Sequence, residues 1–372
     1  MNEMRILVAG NLANLGFELT KSLRNSGIDA WLLMPKNPSA SEDPSSIFPE
    51  FKEKGYPKWI VFFDKNERKF NMRNWKIQVI NEMRKKSYEG IIALTEFSIF
   101  AMFSGKPYAA SSTGNDMREL AFEKSIKGFL LRLSYKKAKL VIWGEPYKKP
   151  LLKILKIEKK AVFATTPRTV IFNSENNLTF EQKLNQNLKD KFVIFHPTAQ
   201  DWNYKKNRIF LEAFVEICKN HSDIFLILSE RGPNIEEAKK ILISSPDTKN
   251  KYEFIPWLNF KELQTFSKKS DLIVDQFGVG SFGMITVENM FLGKPIMLRI
   301  NEELFNEFYP KKPVGLLNVD NKEKIVSYIE KLIQDKDFCT KCCEENKKWV
   351  NLNWNNEILT KKWIEVCKKI IT

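Results

Sequence analysis

Three stretches of this chain combine residue types and spacings suited to a phosphorylated ligand. The longest is Asp275-Gln-Phe-Gly278-Val-Gly280-Ser-Phe-Gly283-Met-Ile-Thr-Val-Glu288. An apolar run ends at Val274, and a helical pattern resumes near Met284. A glycine-rich turn that opens a helix presents unpaired N–H groups, and the helix dipole adds to their pull on an anion. Glycine also lets a phosphate come close to the backbone. Gly280 and the amides of Ser281, Phe282, Gly283 and Met284 are therefore expected to form an anion site that a phosphate can approach closely. Glu288, a turn or so into the helix, can accept two hydrogen bonds from a ribose diol. The string Gly278-x-Gly280-x-x-Gly283 also has the dinucleotide-fingerprint spacing, with Glu302 at a suitable distance. That fingerprint belongs to the first strand–helix turn of its domain, whereas here it follows the third strand read in its series. A turn that only packs strand against helix is the remaining reading.

The second stretch runs from His196 through Gln200, Trp202, Lys205 and Lys206 to Arg208. It follows one strand and opens the next helix, so Lys205 and Lys206 are expected at the carboxyl edge of a sheet, where an ammonium neutralises a diphosphate. Arg231-Gly232, after the next strand, adds a further basic group. The third stretch, Thr113-Gly-Asn115-Asp116-Met-Arg118-Glu119, is expected to open a helix running to about Tyr135, with Asn115 or Asp116 as its N-cap.

The elements that must position these residues read as an alternation of strands and helices. Arg5–Ala9, a glycine-bearing turn, a helical pattern at Leu15, Leu19 and Leu23, and Ala30–Met34 make a β-loop-α-β unit. Ile60–Phe63, Gly90–Leu94, Tyr108–Ser111 and Leu140–Trp143 read as later strands of the same sheet. A second series has strands at Phe192–Phe195, Ile224–Leu228, Leu272–Val274 and Pro295–Leu298. Helical patterns fall between them at about 207–219, 234–243, 260–268 and 284–292. Continuous apolar runs between amphipathic helices are what parallel strands buried on both faces require. The fold class is α/β: two Rossmann-like doubly wound domains facing a cleft, with C-terminal helices. The expected divisions are 1–172, a polar linker at 173–190, 191–355, and a helix at 356–372 packing back on the first domain. Ligands in such sheets sit beyond the carboxyl ends of the strands, which makes the cleft the default site.

Composition bounds the function. The 372 residues suit two domains, and 43% hydrophobic with 28% charged residues excludes a disordered or collagen-like chain. No apolar run is long enough to span a bilayer, and Ile6–Ala9 is too short for a signal-peptide core, so a cytoplasmic protein is expected. Sixty Lys and Arg against 45 Asp and Glu leave a formal net charge of +15. Such a surface attracts nucleic acid, anionic lipid or phosphorylated substrates, or serves only for solubility. Five cysteines without a framework read as reduced thiols; Cys339-x-x-Cys342-Cys343 has too few partners for a metal, since both histidines are distant. No metal site is expected. The stretch from Lys148 to Lys160 mixes apolar residues with six lysines and can lie on an anionic membrane, or be an ordinary surface helix with its apolar side buried.

The chain resembles the retaining glycosyltransferases of family 4, the group 1 transferases of GT-B fold. The resemblance rests on Lys205-Lys206, Glu212-Ala-Phe214, Arg231-Gly232, Phe254-Ile-Pro256, Ser270-Asp271, Gly280-Ser-Phe-Gly283, Glu288-Asn-Met and Gly293-Lys-Pro295, in that order. It implies a metal-independent, retaining transfer from a nucleoside-diphosphate sugar to a glycan or lipid-linked acceptor, with no cofactor and no specific nucleic-acid partner. It also implies that Lys205 and the loop amides hold the diphosphate, Glu288 the ribose, and Trp257 and Leu258 the base. The acceptor would then meet Gly10, Asn11, Asn115 and Asp116, with Glu288, Lys205 and Asp116 as the catalytic set. Peripheral contact with the inner face of the membrane would follow from a lipid-linked acceptor. Two departures stand out: the earlier glutamate of the family's Glu-x7-Glu is Gly280, and an arginine often found five residues before the lysine is Gln200. Two further readings are a nucleotide-sugar epimerase of the same architecture and a nucleotide-binding relative with weak or no catalysis.

Overall fold

The computed structural model describes residues 4–66, 68–69, 72–168, 188 and 190–372. It divides into one unit of Met1–Thr169 with Trp354–Thr372 and another of Val170–Asn353. The linker expected at 173–190 lies, apart from residues 188 and 190, outside the described residues.

The first unit is built on a seven-stranded parallel sheet. Its strands are β1 (Arg5–Ala9), β2 (Asp29–Pro35), β3 (Ile60–Phe63), β6 (Gly90–Leu94), β7 (Tyr108–Ser112), β8 (Leu140–Trp143) and β9 (Ala161–Phe163). A two-stranded ribbon, β4 (Arg68–Lys69) with β5 (Met72–Arg73), stands apart from it. The order β3-β2-β1-β6-β7-β8-β9 places the switch of direction between β1 and β6. Ile6, Val8, Leu32, Met34, Ile92 and Leu94 are fully buried, as two-sided burial of a parallel sheet demands. The helix Asn356–Ile371 adds Trp363, Val366, Cys367 and Ile370 to this core, and the Trp363 indole donates to the Thr165 carbonyl at 2.9 Å. At Gly90 a β-carbon would stand 2.7 Å from Ile370, so the strand has to be bare where that helix crosses it.

The second unit holds a six-stranded parallel sheet: β10 (Phe192–His196), β11 (Ile224–Ser229), β12 (Tyr252–Ile255), β13 (Leu272–Val274), β14 (Ile296–Leu298) and β15 (Leu316–Asn318). The order β12-β11-β10-β13-β14-β15 puts its switch between β10 and β13. Phe195 pairs with Ile273, so the loops leaving these two strands start side by side. The glycine loop follows the fourth strand of this unit rather than the third, because the half-buried edge strand Tyr252–Ile255 precedes it. Helices Arg208–Ile217, Ile235–Ile243, Phe260–Lys269 and Met284–Phe291 lie close to the expected spans. The strands Ala161–Phe163 and Leu316–Asn318 and the helix Glu302–Phe308 had no sequence expectation. The helix expected from Asp116 to Tyr135 is instead a single 3-10 turn at Leu120–Phe122 followed by the helix Ile126–Lys137, capped by Ser125.

Candidate functional site

In the second unit the site starts from two neighbouring strand ends. His196, wholly buried, closes β10; its Nδ1 lies 3.0 Å from the Val274 carbonyl, and Asn207 Nδ2 lies 3.0 Å from its Nε2. Burial lowers its pKa to about 4, against the opposing pull of the Val274 carbonyl. The imidazole is thus a neutral clamp between the two strand ends.

The loops beyond it are stitched by one side chain. Lys205 Nζ donates to Gln276 Oε1 at 2.6 Å, and Gln276 Nε2 donates to the Ser281 carbonyl at 2.9 Å. The Phe277 amide returns to the Lys205 carbonyl at 2.8 Å. At Gly278 a β-carbon would fall 2.0 Å from the Tyr204 carbonyl oxygen, so no side chain fits where the loops cross. Gly280 has φ +70°, a conformation costly for other residues; this is the physical counterpart of the glycine that replaces the family's first glutamate.

The run of free amides expected from Ser281 to Met284 is interrupted. The buried Asp275 carboxylate already accepts the Gly283 amide at 2.9 Å and the Thr286 hydroxyl at 2.7 Å. A carboxylate at a helix N-terminus is favoured by the dipole, and here it also holds the loop in shape. Phe282 packs its ring against Phe305 and Tyr309 instead of meeting solvent. Gly278–Gly280 and Gly283–Ile285 remain partly exposed, so the turn is not sealed. Glu288 lies in the second turn of Met284–Phe291, buried and engaged by the protein.

The other expected donor residues spread around this centre. Lys205 is half-buried, whereas Lys206 is exposed and lines a separate concavity of about 390 Å³ with Trp202, Arg208 and Arg299. The two lysines therefore diverge. Arg231 is exposed, and its carbonyl accepts the Gln200 amide at 2.7 Å. Gln200, at the position of the family's arginine, is fully buried with its amide turned to the Thr198 carbonyl. Trp257 is 45% exposed and Leu258 half-buried, just beyond β12. Both precede Asn259, which caps the helix Phe260–Lys269 in a reciprocal box with Glu262.

The first unit presents a pocket of about 550 Å³ at the carboxyl ends of its strands, lined by Asn11, Trp75, Glu96, Gly114, Asn115 and Asp116 among others. Gly10 follows β1 directly and precedes the pocket residue Asn11, with φ +94°. Asn11 is almost wholly committed: its amide donates to Asn14 at 3.0 Å and to the Glu42 carbonyl at 2.6 Å, while its oxygen accepts the Phe17 amide at 2.7 Å.

Asp116 caps no helix. It is buried, and its Oδ1 accepts Ser112 Oγ at 3.1 Å and the Gly114 amide at 3.0 Å, while Oδ2 accepts the Tyr135 hydroxyl at 2.6 Å. Burial and the Asp116 charge raise the Tyr135 pKa well above the usual phenol value, so it stays a donor. Lys148, fully buried, donates to Ser112 Oγ at 2.9 Å and pairs with Glu145 at 2.9 Å. Burial opposes its charge, but Glu145 and Asp116 outweigh burial and its pKa lies above that of free lysine. Lys148 is therefore part of this network and not of a basic surface strip. The sequence marks Lys148 only as the first lysine of that strip and carries no sign of its burial, whereas Asp275 and Gln276, directly after a strand, obey the same strand-end rule as Lys205.

Cys339, Cys342 and Cys343 sit on the helix Lys336–Asn353, with Cys342 buried. A hydrogen bond from Cys343 lowers the Cys339 pKa to about 7. Among the described residues no group of three or more His, Cys, Asp or Glu is placed to hold a metal ion. No helix among them is long and apolar enough to cross a membrane.

Two parallel sheets of seven and six strands with flanking helices make the GT-B fold. HepE of Anabaena, solved with UDP and glucose, has this fold with a TM-score of 0.74 at 13% identity, over 98% of this chain and 99% of that one. Sucrose-phosphate synthase of Thermosynechococcus elongatus follows at 0.68 and 12% identity, over 99% of both chains. A UDP-N-acetylglucosamine 2-epimerase matches at 0.59 and 13% identity, over 98% of this chain and 95% of that one. Among curated proteins none matches the chain in sequence. Residues 176–349 match the family model of the glycosyl transferases group 1.

Proposed function

We propose that the chain moves a hexosyl group from a UDP-sugar to a hydroxyl of a glycan or lipid-linked acceptor, with retention and without a metal. The observation that carries this is the Lys205–Gln276–Ser281 chain of hydrogen bonds, which fixes an ammonium against a glycine loop at a helix start. Negative charge that develops on a leaving diphosphate is stabilised by such a pre-set cation and by the helix terminus. Lys205 and the loop amides other than Gly283 take the diphosphate, Glu288 the ribose, and the exposed Trp257 face the uracil. Uridine is supported by the UDP bound to HepE. The pocket of the first unit takes the acceptor. Asp116, with three donors on its carboxylate, acts there as a positioning residue that shapes Gly114 and Asn115. Contact with an anionic membrane suits a lipid-linked acceptor.

The test is calorimetric titration and thermal unfolding with UDP, UDP-glucose and other nucleoside diphosphates, with EDTA present. A ligand at a hundred times its Kd should stabilise the fold by about 2.7 kcal/mol. No response to any nucleoside diphosphate refutes the proposal. Anomeric coupling in the product decides retention. The likeness to the 2-epimerase favours one second reading, epimerisation of the donor. Product analysis without acceptor separates the two, because epimerisation leaves the nucleotide attached.

A further inference from the structure

The five thiols of the chain fall into two groups. Cys218, Cys342 and Cys367 are buried, and burial raises the pKa of each to about 12. Cys339 and Cys343 are half-buried and stand one turn apart on the helix Lys336–Asn353. We propose that these two form a thiol modification site, in which a hydroperoxide oxidises Cys339 and Cys343 then closes a disulfide with it. The two side chains are hydrogen-bonded to each other, and the Cys343 thiol donates to the Cys339 sulfur. That bond, helped by the Lys294 ammonium, outweighs burial and the nearby Asp271 carboxylate and lowers the Cys339 pKa to about 7. The same bond and burial hold the Cys343 proton more tightly than in a free thiol. Oxidation by peroxide selects thiolates that solvent can reach, above all those beside a second thiol that can resolve the product. Among the five cysteines Cys339 alone meets all three conditions.

The steps balance with the hydroperoxide as oxidant. The Cys339 thiolate attacks one peroxide oxygen, the S–O bond forms as the O–O bond breaks, and the other oxygen leaves and takes up a proton. The Cys343 sulfur then attacks the Cys339 sulfenic acid; the S–S bond forms, the S–O bond breaks, and water leaves with the Cys343 proton. Four residues apart on a helix, the α-carbons stand about 6 Å from each other, inside the range of roughly 4.4–6.8 Å that disulfides span. Their β-carbons, about 5–6 Å apart, must close to about 3.8 Å, so the turn 339–343 has to deform. That turn lies against fixed backbone. A β-carbon on Gly315 would stand 2.3 Å from the Cys342 carbonyl oxygen, and one on Gly293 3.4 Å from that of Cys343. Asn346 Nδ2 donates to the Lys294 carbonyl at 2.7 Å. Gly293, with φ +72°, follows the helix Met284–Phe291 that carries Glu288. Closure of the disulfide therefore loosens the seat of that helix.

The test is peptide mapping of the reduced full chain after titration with hydrogen peroxide. Trypsin cuts after Lys341, so a bond between Cys339 and Cys343 shows as two joined peptides, and fragment spectra assign the partner sulfur. Wild type should give that joined pair, reversed by dithiothreitol. Cys343→Ser should stop at a sulfenic acid on Cys339 that dimedone traps, Cys339→Ser should form neither product at the same peroxide level, and Cys342→Ser should cross-link like wild type. The unfolding temperature of the cross-linked chain should fall by about 2–4 °C, and that of peroxide-treated Cys343→Ser should not. Circular dichroism reports the folding of the reduced variants, and the wild-type map decides by itself if one of them fails to fold. Oxidation that starts at Cys218, Cys342 or Cys367, a wild type that stops at the sulfenic acid, a cross-link that survives Cys343→Ser, or an unchanged unfolding temperature overturns the inference. No readout involves UDP, so the result is independent of the donor site.

Discussion

Each unit places one lysine behind the carboxyl ends of its strands, and the two lysines are treated in opposite ways. Lys148 in the first unit is fully buried, and Glu145 neutralises it while it braces Ser112 and, through it, Asp116. Lys205 in the second unit is half-buried and leans on the neutral amide of Gln276. A carboxylate partner cancels an ammonium's charge, whereas an amide partner fixes its direction without itself adding a counter-charge. On the proposed function, the contrast separates a lysine that holds a loop from one that meets the donor diphosphate, although both occur in basic or strand-end contexts in the sequence.

The sharpest way to break the comparison is to remove both cations in turn. Lys148→Met leaves Glu145 and Asp116 without their counter-ion and should destabilise the first unit by about 3–5 kcal/mol, read by urea unfolding. UDP binding by the folded fraction should persist. If the variant unfolds like wild type, the buried ammonium is not the brace described.

The second unit's clamp should show itself in pH dependence. In the folded state His196 titrates near about 4, against an ordinary value of 6.5. The unfolded chain therefore binds the proton first, and the stability due to the neutral imidazole is full above about pH 6.5 and lost as pH falls towards about 4. The loss is about 3 kcal/mol, and His196→Gln should flatten it in denaturant titrations across that range.

Lys205→Ala should weaken UDP binding by about 1.5–3 kcal/mol, or roughly tenfold to 150-fold, with little change in unfolding free energy. The opposite pattern, intact affinity and lost stability, would make Lys205 a second Lys148. Gln276→Ala is the finest probe. It keeps the charge and frees its direction, so affinity should fall by about 1 kcal/mol in calorimetric titration, and Gln276→Glu should fall further because it cancels the charge.

Much of this plan was legible in advance. Strands at Gly90–Leu94, Leu140–Trp143 and Leu272–Val274 are continuous apolar runs, and two-sided burial allows little else. The glycine loop and Lys205 were legible because strand-end loops carry a chemical signature of their own. Edge strands of three residues, such as Leu316–Asn318, are too short to show a period. The Asp116 region misled because an Asx residue serves a turn as readily as a helix cap.

By itself the sequence determined the α/β alternation, the glycine turn before Glu288 and the surplus of lysine, since hydrophobic period and residue type are local properties. Tertiary structure alone decided which lysine is buried, that Asp275 takes the Gly283 amide, and that Cys339 and Cys343 stay at the surface while Cys342 is buried. Burial, partner choice and surface adjacency depend on segments far apart along the chain, and no local pattern encodes the distance between them.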